Sequence, residues 1–174
     1  MRKVTDSAVA FAAYGFPESH ALSFALLAYA STWLKFHRPA EFVASLLNNQ
    51  PMGFYSPATL IQDARRHGLK VKPVCVLASE WDCSVEADDT LRIGLAQVKG
   101  VRESAVRTWL THRRTAIPRT LAAFLAQTPF STPELRTLAA VGALNALAGH
   151  RRAALWQIEA AWTDDETLDR KSTR

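Results

Sequence analysis

Cysteine and long hydrophobic runs are scarce in this chain of 174 residues. Only Cys75 and Cys83 are present, so a disulfide-rich scaffold is excluded and both are expected to be thiols. The 5 His are scattered without metal-binding spacing, and no metal site is expected. An uncharged run over residues 21 to 34 is shorter than the roughly 20 apolar residues of a membrane span. With no secretory signal pattern at Met1, a cytoplasmic protein without membrane contact is expected.

Positive charge is concentrated in one part of the chain. The whole sequence has 21 Lys and Arg against 16 Asp and Glu, a formal net charge of +5. Residues 92 to 152 alone hold 10 basic and 2 acidic residues, while the segments on both sides are slightly acidic. Because each neutralised phosphate releases counterions, such a concentration favours a polyanion partner. This segment is the first candidate for contact with nucleic acid.

A polar turn precedes the uncharged run. Gly15 and Pro17 interrupt the chain, and Ser19 is suited to cap a helix that opens at His20. The helical spacing of apolar residues over 21 to 34 predicts a helix buried on most sides. Ser19 and His20 at such a helix start are compatible with a phosphate site. A simpler alternative is that they only cap the helix and form local hydrogen bonds.

Proline, glycine and alternation indicate the remaining elements of the first half. Pro39 and Pro57 predict helices over about 39 to 47 and 57 to 67, the second closed by Gly68. Residues 70 to 74 form a short extended piece, and alternating residues from 82 to 93 around a turn predict a β-hairpin. The expected fold class is therefore mainly α with a small β-hairpin.

The basic segment contains a first helical hairpin. Residues 95 to 110 predict a short helix, a turn at Lys99 and Gly100, and a second helix. This resembles a helix-hairpin-helix, in which a turn glycine lets backbone amides approach a DNA phosphate. The second glycine of the familiar motif is replaced by Arg102. Two alternatives remain at this position: a strained turn with positive φ, or a direct phosphate contact by the guanidinium.

A second, weaker hairpin follows. Thr132 as cap and Pro133 in the first turn predict a helix start, Gly142 occupies the turn position, and Arg151 lies in the next helix. Two such hairpins can hold two phosphates of one duplex without reading its sequence. The alternative is a helical packing unit that does not touch DNA.

Five motifs follow one another in the first half of the chain: Phe16–His20, Tyr29–Lys35, His37–Phe42, Leu46–Tyr55 and Asp63–Gly68. In this order they resemble the bacterial C-family DNA polymerases, that is, the DNA polymerase III alpha subunit and above all its error-prone, translesion paralogue. The likeness extends from about Ala13 to Trp156. Replicative members have Lys in place of Glu18, and Glu is typical of the error-prone branch.

The resemblance implies a domain order and a division of roles. Residues 1 to 79 would form the C-terminal part of the polymerase fingers, 80 to 94 a β-hairpin connector, and 95 to 152 a tandem helix-hairpin-helix module. Residues 153 to 174 would be a terminal helix and polar tail. Ser19 and His20 would lie near the incoming dNTP. The paired palm aspartates that hold Mg²⁺ in the complete polymerase have no counterpart here, so the chain is expected to hold no cofactor and to be inactive alone.

The function expected from this resemblance is translesion synthesis and DNA repair within a larger polymerase. Partners would be duplex DNA, the incoming nucleotide and other translesion or replication proteins. The predicted DNA-binding residues are Lys99, Gly100, Arg102, Arg107, Arg113, Arg114, Gly142 and Arg151.

Two other functions are alternatives to this one. A stand-alone helix-hairpin-helix module of a repair assembly would explain the basic segment but leave the tract from Tyr14 to Lys35 without a purpose. A repair glycosylase would need a catalytic Asp, often with a Lys, after the hairpin. Neither an acid nor a Lys lies between Glu103 and Glu134, which disfavours that enzyme.

Overall fold

The computed structural model describes Thr5 and residues 18 to 171, with side chains described for Thr5 and for 20 to 161. Within that part, eight helices and three two-residue strands follow one another. In chain order they are α1 (Glu18–His37), α2 (Pro39–Asn48), α3 (Pro57–Arg66), β1 (Val71–Lys72), β2 (Ser84–Val85), β3 (Leu91–Arg92), a 3₁₀ turn (Leu95–Gln97), α4 (Glu103–Thr115), α5 (Leu121–Leu125), α6 (Thr132–Ala140), α7 (Asn145–Ala148) and α8 (Arg151–Lys171). The predicted fold class, mainly α with a small β-hairpin, is confirmed.

Local signals set the bounds of α2 and α3. Pro39 and Pro57 stand at the first helical positions as predicted. An N–H at that position makes no hydrogen bond within the helix, so proline, which lacks an N–H, loses none there. Ser56 caps α3, its hydroxyl accepting from the amide of Thr59 at 3.2 Å. Gly68, with φ of +85°, closes the same helix. The predictions for both helices are confirmed to within a residue.

The predicted β-hairpin is present and has a third strand beside it. β2 pairs antiparallel with β3, Val85 opposite Leu91. β1 pairs parallel with β3 on its other side, Val71 opposite Leu91. The extended piece over 70 to 74 was predicted, but its pairing was not, because that pairing joins segments about 20 residues apart.

Buried side chains form two clusters. The smaller joins α2, α3 and the sheet through Val43, Leu47, Ala64, Cys83 and Leu91. The larger fills the two hairpins and the residues just before β2; its fully buried large members are Val76, Leu95, Val106, Trp109, Leu121, Phe124, Leu135, Leu138, Leu144 and Ile158. Ile93 packs against both clusters, so the β-hairpin lies where they meet. The predicted domain boundaries themselves stay a prediction.

Helix α1 differs from its prediction in its start and in its burial. Glu18 and Ser19 are already helical, so Ser19 does not precede a helix opening at His20. The expectation of burial on most sides is wrong: Leu22, Leu26 and Tyr29 are about 70% exposed, at 70%, 68% and 71%. Apolar spacing predicts which residues a helix can bury, but burial also needs a partner, and α1 has its main packing contact with α2.

Two bounds near the C-terminus also differ. The cap of α6 is Ser131 rather than Thr132, because Ser131 and Glu134 form a reciprocal capping box. The last helix, α8, continues to Lys171, where a polar tail was expected. Ala154 and Ile158 anchor it in the larger cluster.

Candidate nucleic-acid interface

The first hairpin has an open turn between the 3₁₀ turn and α4. Gly100 has φ of +85°, a conformation that costs a residue with a Cβ on the order of 1 kcal/mol. A Cβ placed there would meet nothing within 4 Å, and Lys99 and Gly100 are both exposed. The backbone of this turn therefore lies at the surface, with open space beside Gly100.

The start of α4 presents backbone amides beside this turn. Its first intrahelical bond runs from Val106 N to the Arg102 carbonyl, so the three preceding helical amides have no acceptor within the helix. Arg102 stands at the N-cap without a side-chain cap. Glu103 in the first turn would oppose an anion, but its carboxylate accepts from Arg107 Nε at 2.7 Å. Free amides and the positive end of the helix dipole favour an anion here.

Arg102 does not strain the turn, and its half-exposed guanidinium forms an ion pair within the chain; a phosphate contact by this residue stays a prediction. Its φ is −75° and its ψ 134°, so the turn needs no positive φ at this residue. Its guanidinium donates to Glu134, Nε to Oε1 and Nη2 to Oε2, both at 2.9 Å. The charge of Arg102 is therefore neutralised within the protein.

Two further predicted residues, Arg113 and Arg107, are paired with other residues of the chain. Arg113 is only 10% exposed and donates to the carbonyl oxygens of Val76 at 3.1 Å and Ser79 at 2.7 Å. Its other terminal nitrogen donates to Glu80. Arg107 pairs with Glu103 one turn away on α4. Arg113 thus holds the segment before β2 against α4, and little of it faces solvent.

Five cations of the basic segment are exposed and have no acidic partner among the described residues. They are Lys99, Arg114, Arg119, Arg151 and Arg152. Lys99 lies in the first turn. Arg114 lies near the C-terminal end of α4, about 17 Å from the first turn at 1.5 Å per residue. Arg119 and Arg152 were absent from the predicted set, although no acid stands within four residues of either in the sequence.

The second hairpin turn is more enclosed than the first. Gly142 has φ of +82°, and its amide and that of Ala143 close α6 by donating to Ala139 and Leu138. A Cβ on Gly142 would lie 3.1 Å from Asn145 Nδ2 and 3.3 Å from Arg151 Nε. This turn therefore offers side-chain N–H donors, Asn145 and Arg151, where the first turn offers backbone amides.

The pattern of two helical hairpins agrees with the family comparison. The family model described as "Helix-hairpin-helix motif" matches residues 68–154, half of the chain. The chain belongs to this family. The two turns described above, at Gly100 and Gly142, lie within the matched residues.

Curated relatives extend the likeness beyond the helix-hairpin-helix region. An error-prone DNA polymerase from Alkalilimnicola ehrlichii is 49% identical over 152 residues, 85% of this chain and 15% of the relative. The error-prone DNA polymerase from Azoarcus sp. is 50% identical over 169 residues, covering 91% of this chain and 16% of the relative. The one from Dechloromonas aromatica is 45% identical over 174 residues, covering 97% of this chain and 16% of the relative. The chain therefore spans about one sixth of the length of these relatives. The resemblance to error-prone polymerases is confirmed.

The nucleotide-binding residues predicted near the start of α1 lie apart from the helix-hairpin-helix turns in the sequence. His20 is exposed, and its ring makes an edge contact with Phe24 at 4.6 Å between centroids. The side chains of Glu18 and Ser19 lie outside the described residues. A nucleotide role for Ser19 and His20 stays a prediction.

Among the described residues, no group of three His, Cys, Asp or Glu side chains is placed to hold a metal ion. None of the described helices combines the length and the apolarity that crossing a membrane requires.

Proposed function

We propose that this chain is the part of an error-prone DNA polymerase that binds duplex DNA without reading its sequence. The observation that supports this most is the first turn, where open backbone at Gly100, uncapped amides of α4 and the unpaired Lys99 lie together. Phosphates are the groups that such a combination binds, because amides and ammonium are both donors. Contacts to phosphate position a protein on DNA but carry no sequence information.

The spacing of the two turns supports a two-point contact. Arg102 connects the first turn to Glu134 at the start of α6, and Gly142 lies just after the end of the same helix. Because α6 has 9 residues, its ends are about 14 Å apart. The two turns are thus connected through the two ends of one short helix, and we propose that each contacts a phosphate of the same duplex.

The N-terminal part has a different role in this proposal. In a complete polymerase, Ser19 and His20 would lie near the incoming dNTP, and residues elsewhere in that protein would hold the catalytic Mg²⁺. Translesion synthesis in the cytoplasm, with other replication or repair proteins, is the setting proposed for that enzyme. The chain alone is proposed to bind DNA and not to extend a primer.

The exposure of α1 favours this proposal over a stand-alone DNA-binding module. Leu22, Phe24 and Leu26 are more than half exposed, a large apolar area for a protein that works alone. A polymerase whose chain is about six times longer has further surface to cover them. A stand-alone module would leave them in water.

Duplex binding tests the proposal by fluorescence anisotropy. We expect affinity to fall steeply between about 50 and 200 mM salt, since each phosphate contact contributes about 0.9 to the slope of log K against log salt. Lys99→Glu should weaken binding, while Lys70→Glu, the same charge change at an exposed lysine before β1, should have little effect. Binding that does not respond to salt, or equal losses for the two variants, would refute the proposal.

A further inference from the structure

The carboxylate of Glu134 is buried and surrounded by hydrogen-bond donors. The residue is 3% exposed, and it accepts five hydrogen bonds. Arg102 donates its backbone amide at 2.8 Å and its Nε and Nη2 at 2.9 Å each. Ser131 donates its amide at 2.7 Å and its hydroxyl at 2.8 Å. Oε1 therefore accepts only from Arg102, whereas Oε2 accepts from both Arg102 and Ser131.

This arrangement compensates for the burial of a charge. A carboxylate removed from water is unfavourable unless it is paired and hydrogen-bonded. The Arg102 guanidinium above all, aided by the amides of Arg102 and Ser131, holds the pKa of Glu134 far below its ordinary value. Glu134 is accordingly an anion at neutral pH, and its bonds to Arg102 are charge-assisted.

The position of Arg102 gives these bonds a consequence for the first turn. Arg102 follows the turn directly and is the N-cap of α4, whereas Ser131 and Glu134 begin α6 of the second hairpin. Glu134 binds both the backbone and the side chain of Arg102. The direction in which the first turn and the amides of α4 point is therefore fixed relative to the second hairpin.

We propose that Glu134 is a positioning residue for DNA binding: it holds Arg102, and with it the first turn, so that Lys99 and the α4 amides reach phosphate together with the second turn. In this role Arg102 orients the turn and does not itself neutralise a phosphate. The inference rests on the proposed function, since it assigns a part to residues behind the proposed DNA contact.

The test compares affinity and salt slope for four variants on a short duplex. Arg102→Gln breaks the pair, and Arg102→Gln with Glu134→Gln removes the buried charge as well, so that folding is retained if the single variant is unstable. Arg136→Gln is the matched control, because Arg136 on α6 makes a similar two-bond pair with Glu159 at 2.6 and 2.8 Å away from both turns. Lys99→Gln reports on loss of a phosphate contact. Circular dichroism establishes that each variant is folded at the temperature of measurement.

A positioning role predicts a separation of the two readouts. Arg102→Gln and the double variant should bind about tenfold more weakly, in the range found for coupled residues, with the wild-type salt slope. Lys99→Gln should lower the slope by about 0.9, and Arg136→Gln should match wild type in both. A drop of the slope in Arg102→Gln would make Arg102 a phosphate contact and overturn the inference. So would wild-type affinity in the double variant, or an equal loss in Arg136→Gln.

Failure of the proposed function has a different signature. Absence of salt-dependent duplex binding in the wild-type protein would refute both the proposed function and the positioning role of Glu134. Salt-dependent binding that is lowered in slope by Lys99→Gln, but unchanged in affinity by Arg102→Gln, would refute the positioning role alone.

Discussion

Helix α1 and the helix-hairpin-helix region are both rich in apolar residues, yet they use them in opposite ways. The hairpins bury Trp109, Phe124 and Leu135 completely, and Trp109 meets Phe124 edge to face at 4.7 Å. Helix α1 leaves Phe24, Tyr29 and Phe36 more than half exposed. Apolar composition alone therefore does not distinguish a helix that stabilises this chain from one whose partners lie elsewhere.

The two regions also differ in their polar contacts. In the hairpin region, buried or half-buried bonds connect segments more than 30 residues apart, as between Trp109 Nε1 and the Val76 carbonyl at 2.9 Å. A polar contact between α1 and another helix, the Lys35–Asp63 pair at 3.2 Å, is exposed. Exposed pairs contribute little to stability. We expect most of the stability of the chain to come from the hairpin region.

Replacement of one tryptophan in each region gives the largest contrast. Trp109→Ala removes a fully buried ring and its hydrogen bond and should lower the free energy of unfolding by about 4 kcal/mol. Trp33→Ala acts on a side chain that is 48% exposed and should lower the free energy of unfolding by about 1 kcal/mol, since only part of its apolar area is buried. Urea denaturation measures both. Comparable losses would mean that α1 contributes to the core.

Gly94, between β3 and the first hairpin, tests the junction of the two clusters. A Cβ there would lie 2.3 Å from the Asp82 carbonyl carbon and 2.5 Å from the Trp81 carbonyl oxygen, so the backbone has to move. Gly94→Ala should cost about 3 kcal/mol. Gly149→Ala is the control: a Cβ meets nothing within 4 Å, and only the positive φ costs about 1 kcal/mol. Equal midpoints in urea would contradict this account of the junction.

Adjacent arginines on α4 separate a structural cation from an exposed one. Arg113→Gln loses charged hydrogen bonds to the Val76 and Ser79 carbonyls and should destabilise the fold by about 2 kcal/mol. Arg114→Gln, at an exposed residue, should alter stability by less than about 0.5 kcal/mol. Thermal or urea unfolding of the two variants provides the comparison. A stable Arg113→Gln protein would show that these bonds contribute little.

The smallest expected effect concerns pH. The pKa of Glu134 is lowered in the folded chain from its ordinary 4.5, mainly by Arg102. As the pH falls below about 5, the unfolded chain binds a proton first, so the stabilisation present at pH 7 is progressively lost. Glu134→Gln cannot titrate, and its urea midpoint should fall less than that of wild type between pH 7 and 3. Parallel profiles would contradict the assigned pKa shift.

The sequence was most informative where structure depends on neighbouring residues. Proline at the start of α2 and α3 predicted both helices, and the alternation over 82 to 93 predicted the β-hairpin. The pattern Ser131-Thr-Pro-Glu134 is itself a capping-box signature, so the correct cap of α6 was available from the sequence.

Contacts between residues far apart in the sequence could not be predicted. Neither the Arg102–Glu134 bonds, between residues 32 apart, nor those from Arg113 to the Ser79 carbonyl, 34 apart, leave a periodic or spacing signal. Both arginines look like free cations in the sequence because no acid stands at helical spacing on their own helix face. The prediction that α1 is buried was wrong for a related reason: the spacing of apolar residues identifies an apolar face but not the segment that covers it.

The central claim is that the first helix-hairpin-helix turn contacts DNA phosphate. A nuclear magnetic resonance titration with a short duplex tests it most directly, by following each backbone amide. We predict that the amides of Lys99, Gly100, Glu103 and Ser104 shift earliest and most strongly, with smaller changes near Gly142 and Arg151. Shifts confined to α1, or to the distant Arg114 and Arg119, with the Gly100 turn unchanged, would contradict the account.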